Sequence, residues 1–364
     1  MEIISGLDLA ESFYFEIVKP LLRKNYPDLR YAAALLGNGS EVQGFDDITS
    51  TDHHWGVRIL LFLEQKDFEN QKSDLNLFFR RNLPYEFKGH STNWSPPNLN
   101  DGNNQFPEQI TQGEVNHRIE MYTVSGYLSE KMGIDSTILT DIDWVLLPEQ
   151  RLREFTGGKV FEDTICELTE AREDLSYFPH NVWLYKILSQ WNKIAEEIPF
   201  PGRIGMQNDI LGGQIETSRL VRYAMVLCFI LEKRYIPYPK WFSKAFSELD
   251  VSNKIIPLLQ LALNETDFKK RDDVLCKIYL SILLFQNSLG ITEPLKLSPK
   301  SFFSRPITVI DTGKITELLQ NGLKPPLSKV KYPIGSIDQI IDYPNLLSDA
   351  VYFKKLRTLY EEQK

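Results

Sequence analysis

The chain has 364 residues, of which 42% are hydrophobic and 25% are charged, as in a globular protein of two or three domains. Its formal net charge of −8 disfavours a long nucleic acid or an anionic membrane as partner, because both favour basic proteins. Its apolar runs are far shorter than the roughly 20 residues that a membrane span needs. The N-terminal residues also lack the basic start of a signal peptide. We therefore expect a soluble cytoplasmic protein.

The N-terminal part alternates helical and strand patterns. Apolar residues at helical spacing predict an amphipathic helix over residues 8–24, which Pro20 is expected to kink or break. Strands are predicted at residues 31–36, 59–63, 85–88 and 115–124. Residues 90–113 are rich in Asn, Pro, Gly and Ser, and a loop of this length is usually functional or mobile.

The predicted secondary structure changes near residue 140. Helical periodicity then dominates, at residues 140–155, 164–175, 180–197, 213–235, 239–249, 253–263, 268–288, 311–321 and 346–363. The sequence therefore predicts an α+β protein with a small mixed-sheet domain at residues 1–155 and an all-helical domain at residues 156–364. The three cysteines lack metal-ligand spacing and are expected to be buried apolar side chains: Cys166, Cys228 and Cys276.

A glycine-containing turn follows the first predicted strand. Gly37-Asn38-Gly39-Ser40 permits positive φ angles and a close approach of the backbone. Backbone N–H groups of such a turn and the Ser40 hydroxyl can donate to phosphate oxygens. Asp52, at the start of the next predicted strand, is placed to hold a Mg²⁺ that bridges those phosphates. The segment predicts a phosphate-binding site.

Two familiar glycine motifs do not fit this turn. A dinucleotide fingerprint starting at Gly37 would need its third glycine where Val42 stands. A P-loop starting at Gly39 would need Lys-Ser/Thr where Phe45-Asp46 stands. Both interpretations are disfavoured.

The order of a strand, Gly39-Ser40, a spacer and Asp52-x-His54 before an apolar strand resembles the polymerase-beta-type nucleotidyltransferase superfamily. More narrowly, the chain is similar to an uncharacterised bacterial family of predicted nucleotidyltransferases in the segment YAAALLGNGSEVQGFDDITSTDHHWGVRILLFL. Further similar segments are LPEQRLREFTGGKVFED, YFPHNVWLYKILSQW, FPGRIG, LEKRYIPYPKWF and IGSIDQ. The resemblance covers nearly the whole chain.

The resemblance implies transfer of a nucleoside monophosphate from a nucleoside triphosphate to a hydroxyl-bearing acceptor. It further implies two divalent ions, held by carboxylates at positions i and i+2 of one strand and by a third carboxylate on a neighbouring strand. Asp52 matches the first position, and His54 stands where the second carboxylate is expected. We assign the third to Glu120, although a solvated strand face explains that residue equally well. Alternation predicts that Arg118, Glu120 and Tyr122 share one face.

His54 leaves two functions open. Catalysis with Mg²⁺ or Mn²⁺ would act on a small-molecule or protein acceptor, in keeping with the acidic charge. Alternatively, the protein is a nucleotide-binding regulator or sensor with weak or no turnover, because a neutral imidazole suits hard cations poorly. A purely structural or interaction protein is a third, disfavoured hypothesis, because the glycine turn, Asp52 and Arg58 would then be coincidental.

Several other residues have two interpretations each. Arg58, on the same face as Asp52 if the strand is regular, binds phosphate oxygens or forms a surface or interdomain salt bridge. Asp141 and Asp143 resemble a second carboxylate pair, but Thr140 before them predicts a helix start. The segment LEKRYIPYPKWFSKAF favours an interhelical corner with buried aromatics over a base-binding surface.

Overall fold

The protein is described by a computed structural model covering residues 4–47, 49, 55–99 and 104–361. It divides into two compact units. The first consists of Met1–Ile138 and Arg151–Ser176, and the second of Leu139–Gln150 and Tyr177–Lys364. The class is α+β, with a small mixed sheet and many helices, as predicted.

A four-stranded sheet forms the centre of the first unit. Its strands are β1 (Tyr31–Leu35), β2 (Arg58–Leu63), β5 (Arg118–Tyr122) and β6 (Lys159–Asp163), in the order β5-β2-β1-β6. β1 is antiparallel to both β2 and β6, and β2 is parallel to β5. β3 (Glu86–Phe87) and β4 (His90–Ser91) form a separate two-stranded hairpin. β6 lies beyond the predicted domain boundary at residue 155, yet it completes this sheet beside β1.

Helices cover one face of the sheet. α1 (Gly6–Phe13), a π-helical turn (Tyr14–Val18) and α2 (Lys19–Asn25) follow one another without a break. Pro20 lies in the first turn of α2, where its missing N–H matters least, and the π-helical turn precedes it. The helix that was not predicted, α3 (Gln65–Asn82), is mostly polar and buries only Leu75 and Phe79. These helices pack on the face of the sheet that carries Ile59, Leu61 and Leu63.

The remaining helices of the first unit follow β5 and β6. They are α4 (Val124–Tyr127) with its π-helical continuation (Leu128–Met132), and α7 (Glu167–Asp174). α6 (Glu149–Thr156) spans the division between the units. Cys166 precedes α7 and is exposed, which corrects the expectation that all three cysteines are buried. It occupies a turn with φ +66°, where its N–H donates to Asp163 Oδ1.

The second unit is almost entirely helical. Its longer helices are α8 (His180–Glu197), α10 (Ile210–Leu231), α12 (Ser252–Asn264), α13 (Phe268–Ser288) and α14 (Thr312–Gly322). Shorter ones are α5 (Asp141–Val145), α9 (Phe200–Gly205), α11 (Phe242–Phe246), α15 (Ile337–Ile340), α16 (Pro344–Leu347) and α17 (Ala350–Phe353). Short 3₁₀ helices occur at Pro239–Trp241, Leu327–Lys329 and Lys354–Leu359. The strands β7 (Lys300–Ser301) and β8 (Thr308–Val309) form a hairpin. No described helix is long and apolar enough to cross a membrane.

The helix start predicted at Thr140 is confirmed. The Thr140 side chain accepts from the Asp143 N–H, and Asp143 accepts from the Thr140 N–H, which is a capping box. Asp141 accepts from Asn181 Nδ2 at 2.6 Å. This acidic pair therefore starts α5 and does not form a second carboxylate clamp.

Candidate functional site

The described site residues of the first unit lie at one end of its sheet. Because β1 runs antiparallel to β2, the end of β1 lies beside the start of β2. Because β2 and β5 are parallel, Arg58 pairs with Arg118 and Leu60 with Glu120 in the same register. The turn after β1 therefore lies at the same end of the sheet as the first residues of β2 and β5, with β2 between β1 and β5.

The glycine turn adopts the conformation that its residues predict. Gly37 has φ +92° and Gly39 has φ +143°. The Gly37 N–H donates to the Glu154 carbonyl at 2.8 Å, which fixes the start of the turn. A Cβ atom at Gly39 would lie 2.5 Å from Arg58 Nη2 and 2.5 Å from Glu41 Oε2. Glycine is thus required at position 39 both by the backbone angle and by the side chains packed against it.

The Arg58 side chain packs against this turn and binds it by hydrogen bonds. Its Nε and Nη2 donate to Glu41 Oε1 at 3.0 and 2.5 Å, and Nη2 also donates to the Asn38 carbonyl at 2.6 Å. Both side chains are buried, with 10% of Arg58 and 2% of Glu41 exposed. Of the two interpretations of Arg58, the structure therefore shows the salt bridge, formed within the first unit. Glu41 was missed by the sequence analysis, and its only signal was its place directly after Ser40.

Ser40 continues the turn through its backbone. Its carbonyl accepts from the N–H groups of Gln43 and Phe45 at 3.1 and 2.9 Å. Within the described part of the chain, Ser40 Oγ makes no hydrogen bond. The half-buried hydroxyl is therefore available to a ligand.

A second arginine approaches the same turn. Arg151 Nη1 donates to the Asn38 side-chain oxygen at 3.0 Å and to Glu154 Oε2 at 2.7 Å. Asn38 thus receives one arginine on its carbonyl and another on its amide oxygen. Sequence reasoning missed Arg151, because its contact with the turn spans 113 positions of sequence.

Glu120 faces an open groove with a volume of about 470 Å³. Arg118 Nη2 and Nε donate to Glu120 Oε1 at 2.7 and 2.9 Å, and the Tyr122 hydroxyl donates to Oε2 at 3.3 Å. Burial alone would raise the pKa of Glu120, but Arg118, Arg58 and the Tyr122 hydroxyl together hold it below its usual range. Glu120 is therefore ionised at neutral pH. The predicted alternation is confirmed, since Ile119 and Met121 face the core and Arg118, Glu120 and Tyr122 do not.

The long loop after β4 supplies one wall of this groove. Its Trp94 is almost fully buried and stacks over the Arg118 guanidinium at 5.3 Å. Gln105 Oε1 accepts from Arg118 Nη1 at 3.3 Å. Pro97, Gln105 and Asn116 line the groove with Glu120. Part of the segment predicted to be functional or mobile is thus an ordered, structural part of the site.

The strand predicted from Asp52 begins later than expected. β2 starts at Arg58, and Gly56 before it has φ +145°. A Cβ atom at Gly56 would lie 3.0 Å from the Trp94 ring, so the backbone bends where Trp94 packs. Residues 55–57 are not part of β2, and the placement of Asp52 on the same face as Arg58 stays a prediction. Asp52 and His54 themselves lie outside the described residues.

The described carboxylates do not by themselves form a site for a divalent ion. The described residues contain no group of three metal-ligating side chains. Of the three predicted ligands, only Glu120 is described, and it is an oxygen donor that already binds Arg118. Asp46 is not a spare ligand, because it accepts from the Gly6 N–H and from Trp55 Nε1. A divalent ion at this edge would need ligands beyond the described residues.

In the second unit, the aromatic and basic segment forms an interhelical corner, as predicted. Tyr235 is buried and stacks near Tyr177 and Phe178, with ring centroids 5.1 and 5.3 Å apart. Lys233 lies over the Trp183 ring at 4.3 Å. These side chains face one another, which favours a structural role over base binding.

Comparisons with known proteins give two likenesses. Residues 144–242 match the family described as Domain of unknown function (DUF4037), and this segment includes residues of both units. A nucleotidyltransferase-like protein from Exiguobacterium sibiricum 255-15 is 10% identical, with a TM-score of 0.32 over 81% of this chain and 82% of that chain. No match was found among curated proteins.

Proposed function

We propose that this protein binds a nucleoside triphosphate at the edge of its sheet and transfers the nucleoside monophosphate to a hydroxyl group of a small-molecule or protein acceptor. The observation that supports this most directly is that the Gly37–Ser40 turn, Arg118 and Glu120 lie at the same end of the sheet. A backbone turn, a cation and an ionised carboxylate at one edge of a sheet suit a phosphate ester and its counter-ion.

The triphosphate would be held by two kinds of donor. The N–H groups of Gly39 and Ser40 and the Ser40 hydroxyl would bind phosphate oxygens, with the turn kept rigid by the Arg58–Glu41 ion pair. Arg118, which is 16% exposed and lines the groove, would bind a second phosphate group. Preorganised donors of this kind stabilise the charge that develops on the phosphate during transfer.

Asp52, His54 and Glu120 are proposed as the metal ligands. When bound there, Mg²⁺ or Mn²⁺ would neutralise phosphate charge and orient the transferred group. Glu120 contributes a carboxylate that remains ionised because Arg118 lowers its pKa. Asp52 and Glu120 are the proposed catalytic carboxylates.

A second function has its own support. The Arg118–Glu120 ion pair occupies Oε1 of the carboxylate, and His54 replaces a negative charge of the proposed clamp. Both features should lower the affinity for a divalent ion, but they leave the hydrogen-bond donors to phosphate unchanged. A nucleotide-binding regulator with weak or no turnover is therefore the alternative.

Calorimetric titration tests the binding step. ATP, GTP, CTP and UTP are titrated, with Mg²⁺ and with Mn²⁺, into the wild type and into Asp52→Asn, Glu120→Gln and Glu86→Gln. Glu86 is exposed, so its variant controls for the loss of one negative charge. We expect at least one triphosphate to bind with a divalent ion, and binding to weaken in the first two variants but not in the third. Absence of binding by all four nucleotides contradicts the proposal.

Turnover separates the two functions. Pyrophosphate release and the mass of candidate acceptors are followed with the triphosphate that binds. Release that depends on the metal and on Asp52 supports transfer. Tight binding without any release, in both metals, supports the regulatory alternative.

A further inference from the structure

The helical second unit contains a cavity that the proposed nucleotide site does not use. Its volume is about 410 Å³, which is within the range of small-molecule sites. It lies between α8, α10, the segment after Arg234 and the segment after Ser336, so every residue that lines it belongs to the second unit.

Three cations line this cavity, Lys193, Arg219 and Arg222, together with the carboxyl groups of Asp338 and Asp342. Lys193 and Arg222 make no ion pair within the described part of the chain. The Arg222 guanidinium lies over the Phe242 ring at 4.8 Å, which holds it in place and leaves its N–H groups for another acceptor. Arg219, in contrast, is bound by Glu197 at 2.7 Å and by the Tyr223 hydroxyl at 2.8 Å. In a protein with a net charge of −8, two unpaired cations in one cavity indicate an anionic ligand.

The rest of the lining combines apolar and neutral polar side chains with two carboxyl groups, those of Asp338 and Asp342. Val226, Ile236, Pro237 and Leu347 form an apolar wall. Gln190 is fixed by hydrogen bonds to the Tyr223 carbonyl and to Gln339. A cavity with cations on one side and an apolar wall suits a molecule that joins an oxyanion to an apolar body.

We propose that this cavity is a second binding site, for a small organic phosphate or carboxylate whose oxyanion is held by Lys193 and Arg222. The site does not rest on the proposed nucleotidyl transfer, because it is built by the second unit alone.

The protonation of Lys193 gives the site a characteristic pH dependence. Burial, together with the nearby charges of Arg219 and Lys186, lowers the pKa of Lys193 to about 8, against the opposing effects of Glu197 and Asp342. The other titratable groups that face Lys193 are Tyr223 and Asp338. Burial raises the pKa of Tyr223, and burial beside Glu149 raises the pKa of the Asp338 carboxyl. An anion that needs the ammonium form should bind more weakly as the pH rises from about 7 to about 9.

Calorimetry with four probes tests the proposal. Phenyl phosphate carries both features, inorganic phosphate only the oxyanion, and phenol only the apolar body; benzoate replaces the phosphate by a carboxylate. The proteins are the full-length wild type, Lys193→Gln, Arg222→Gln and the control Lys277→Gln, an exposed lysine of the same unit. Thermal unfolding of each variant shows that it is folded.

We expect phenyl phosphate or benzoate to bind more tightly than phosphate or phenol. Each cavity variant should weaken that binding about tenfold, as for one lost charge-assisted hydrogen bond, and the control should not change it. The comparison of phenyl phosphate with benzoate identifies the oxyanion. The pH dependence above neutrality should be smaller in Lys193→Gln. Equal affinity in all four proteins, or no binding of any probe at about 10 mM, overturns the proposal.

Discussion

Arg58 and Glu41 form a buried ion pair that packs against Gly39 in the Gly37–Ser40 turn, with Nη2 of Arg58 2.5 Å from Oε1 of Glu41. The pair joins the start of β2 to the residue that follows Ser40, and Arg58 also binds the Asn38 carbonyl. The turn is therefore shaped by side chains as well as by its glycines.

Glu41→Gln should destabilise the first unit. The substitution leaves the Arg58 guanidinium buried without its counter-charge, which costs about 3 kcal/mol in comparable pairs. Chemical unfolding followed by fluorescence measures the change. Glu114→Gln is the matched control, because Glu114 also binds arginines, Arg80 and Arg81, but at an exposed position. Equal destabilisation by both substitutions would contradict the role of the buried pair.

Gly39→Ala should be more harmful than Gly44→Ala. Both glycines have positive φ angles, +143° and +73°, so alanine strains the backbone at each by about 1 kcal/mol. Only at Gly39 does the new Cβ meet Arg58 and Glu41, whereas nothing lies within 4 Å of a Cβ at Gly44. We expect lower thermal stability and loss of triphosphate binding in Gly39→Ala, with near-normal binding in Gly44→Ala. The same binding defect in both variants would show that the contact is unimportant.

Asp272→Asn should stabilise the second unit above neutral pH. Asp272 is 1% exposed, and neither carboxylate oxygen makes a hydrogen bond within the described part of the chain. Burial raises its pKa to about 7, against the opposing effects of the Thr308 backbone and Arg271. In the unfolded chain an aspartate titrates near its usual, much lower pKa, so the folded state binds one more proton between about pH 4 and pH 7.

The sign of the effect follows from this difference. Stability is greatest below the unfolded pKa and falls as the pH rises towards about 7, by an amount on the order of 3 kcal/mol. Asparagine carries no charge at any pH, so the variant should exceed the wild type at pH 8 and lose that advantage at pH 4.5. Thermal unfolding at both pH values measures it, with the exposed neighbour in Asp273→Asn as the control. A variant that is less stable than the wild type at pH 8 would refute the expectation.

Local patterns were predicted best. The ranges of α8 and α13 agree with the sequence to the residue, since each has a sustained helical period. The polar helix α3 and the edge strand β6 were missed, because α3 buries little and the half-buried β6 lacks an alternating pattern. Contacts between distant residues were beyond prediction. Glu41 meets Arg58 only through the register of β1 and β2, and the cavity cations come from two helices.

The last prediction concerns His54, which stands where the resemblance implies a second metal carboxylate. His54→Asp should raise the affinity for Mg²⁺ and any nucleotidyl transfer, because a carboxylate adds a full negative charge about 2 to 2.5 Å from the ion. If the imidazole is instead an adapted ligand, the wild type should prefer Mn²⁺, and the substitution should shift the preference towards Mg²⁺ without a higher maximum rate. Metal-dependent binding of the triphosphate and pyrophosphate release, measured in both ions, distinguish these outcomes. His53→Asp is the control, since it adds the same charge one position away, where the sequence predicts that the side chain faces away from Asp52. Equal activity and equal metal preference in the wild type and His54→Asp would show that position 54 does not contact the metal. The metal ligand that the superfamily resemblance implies at position 54 would then be wrong for this chain.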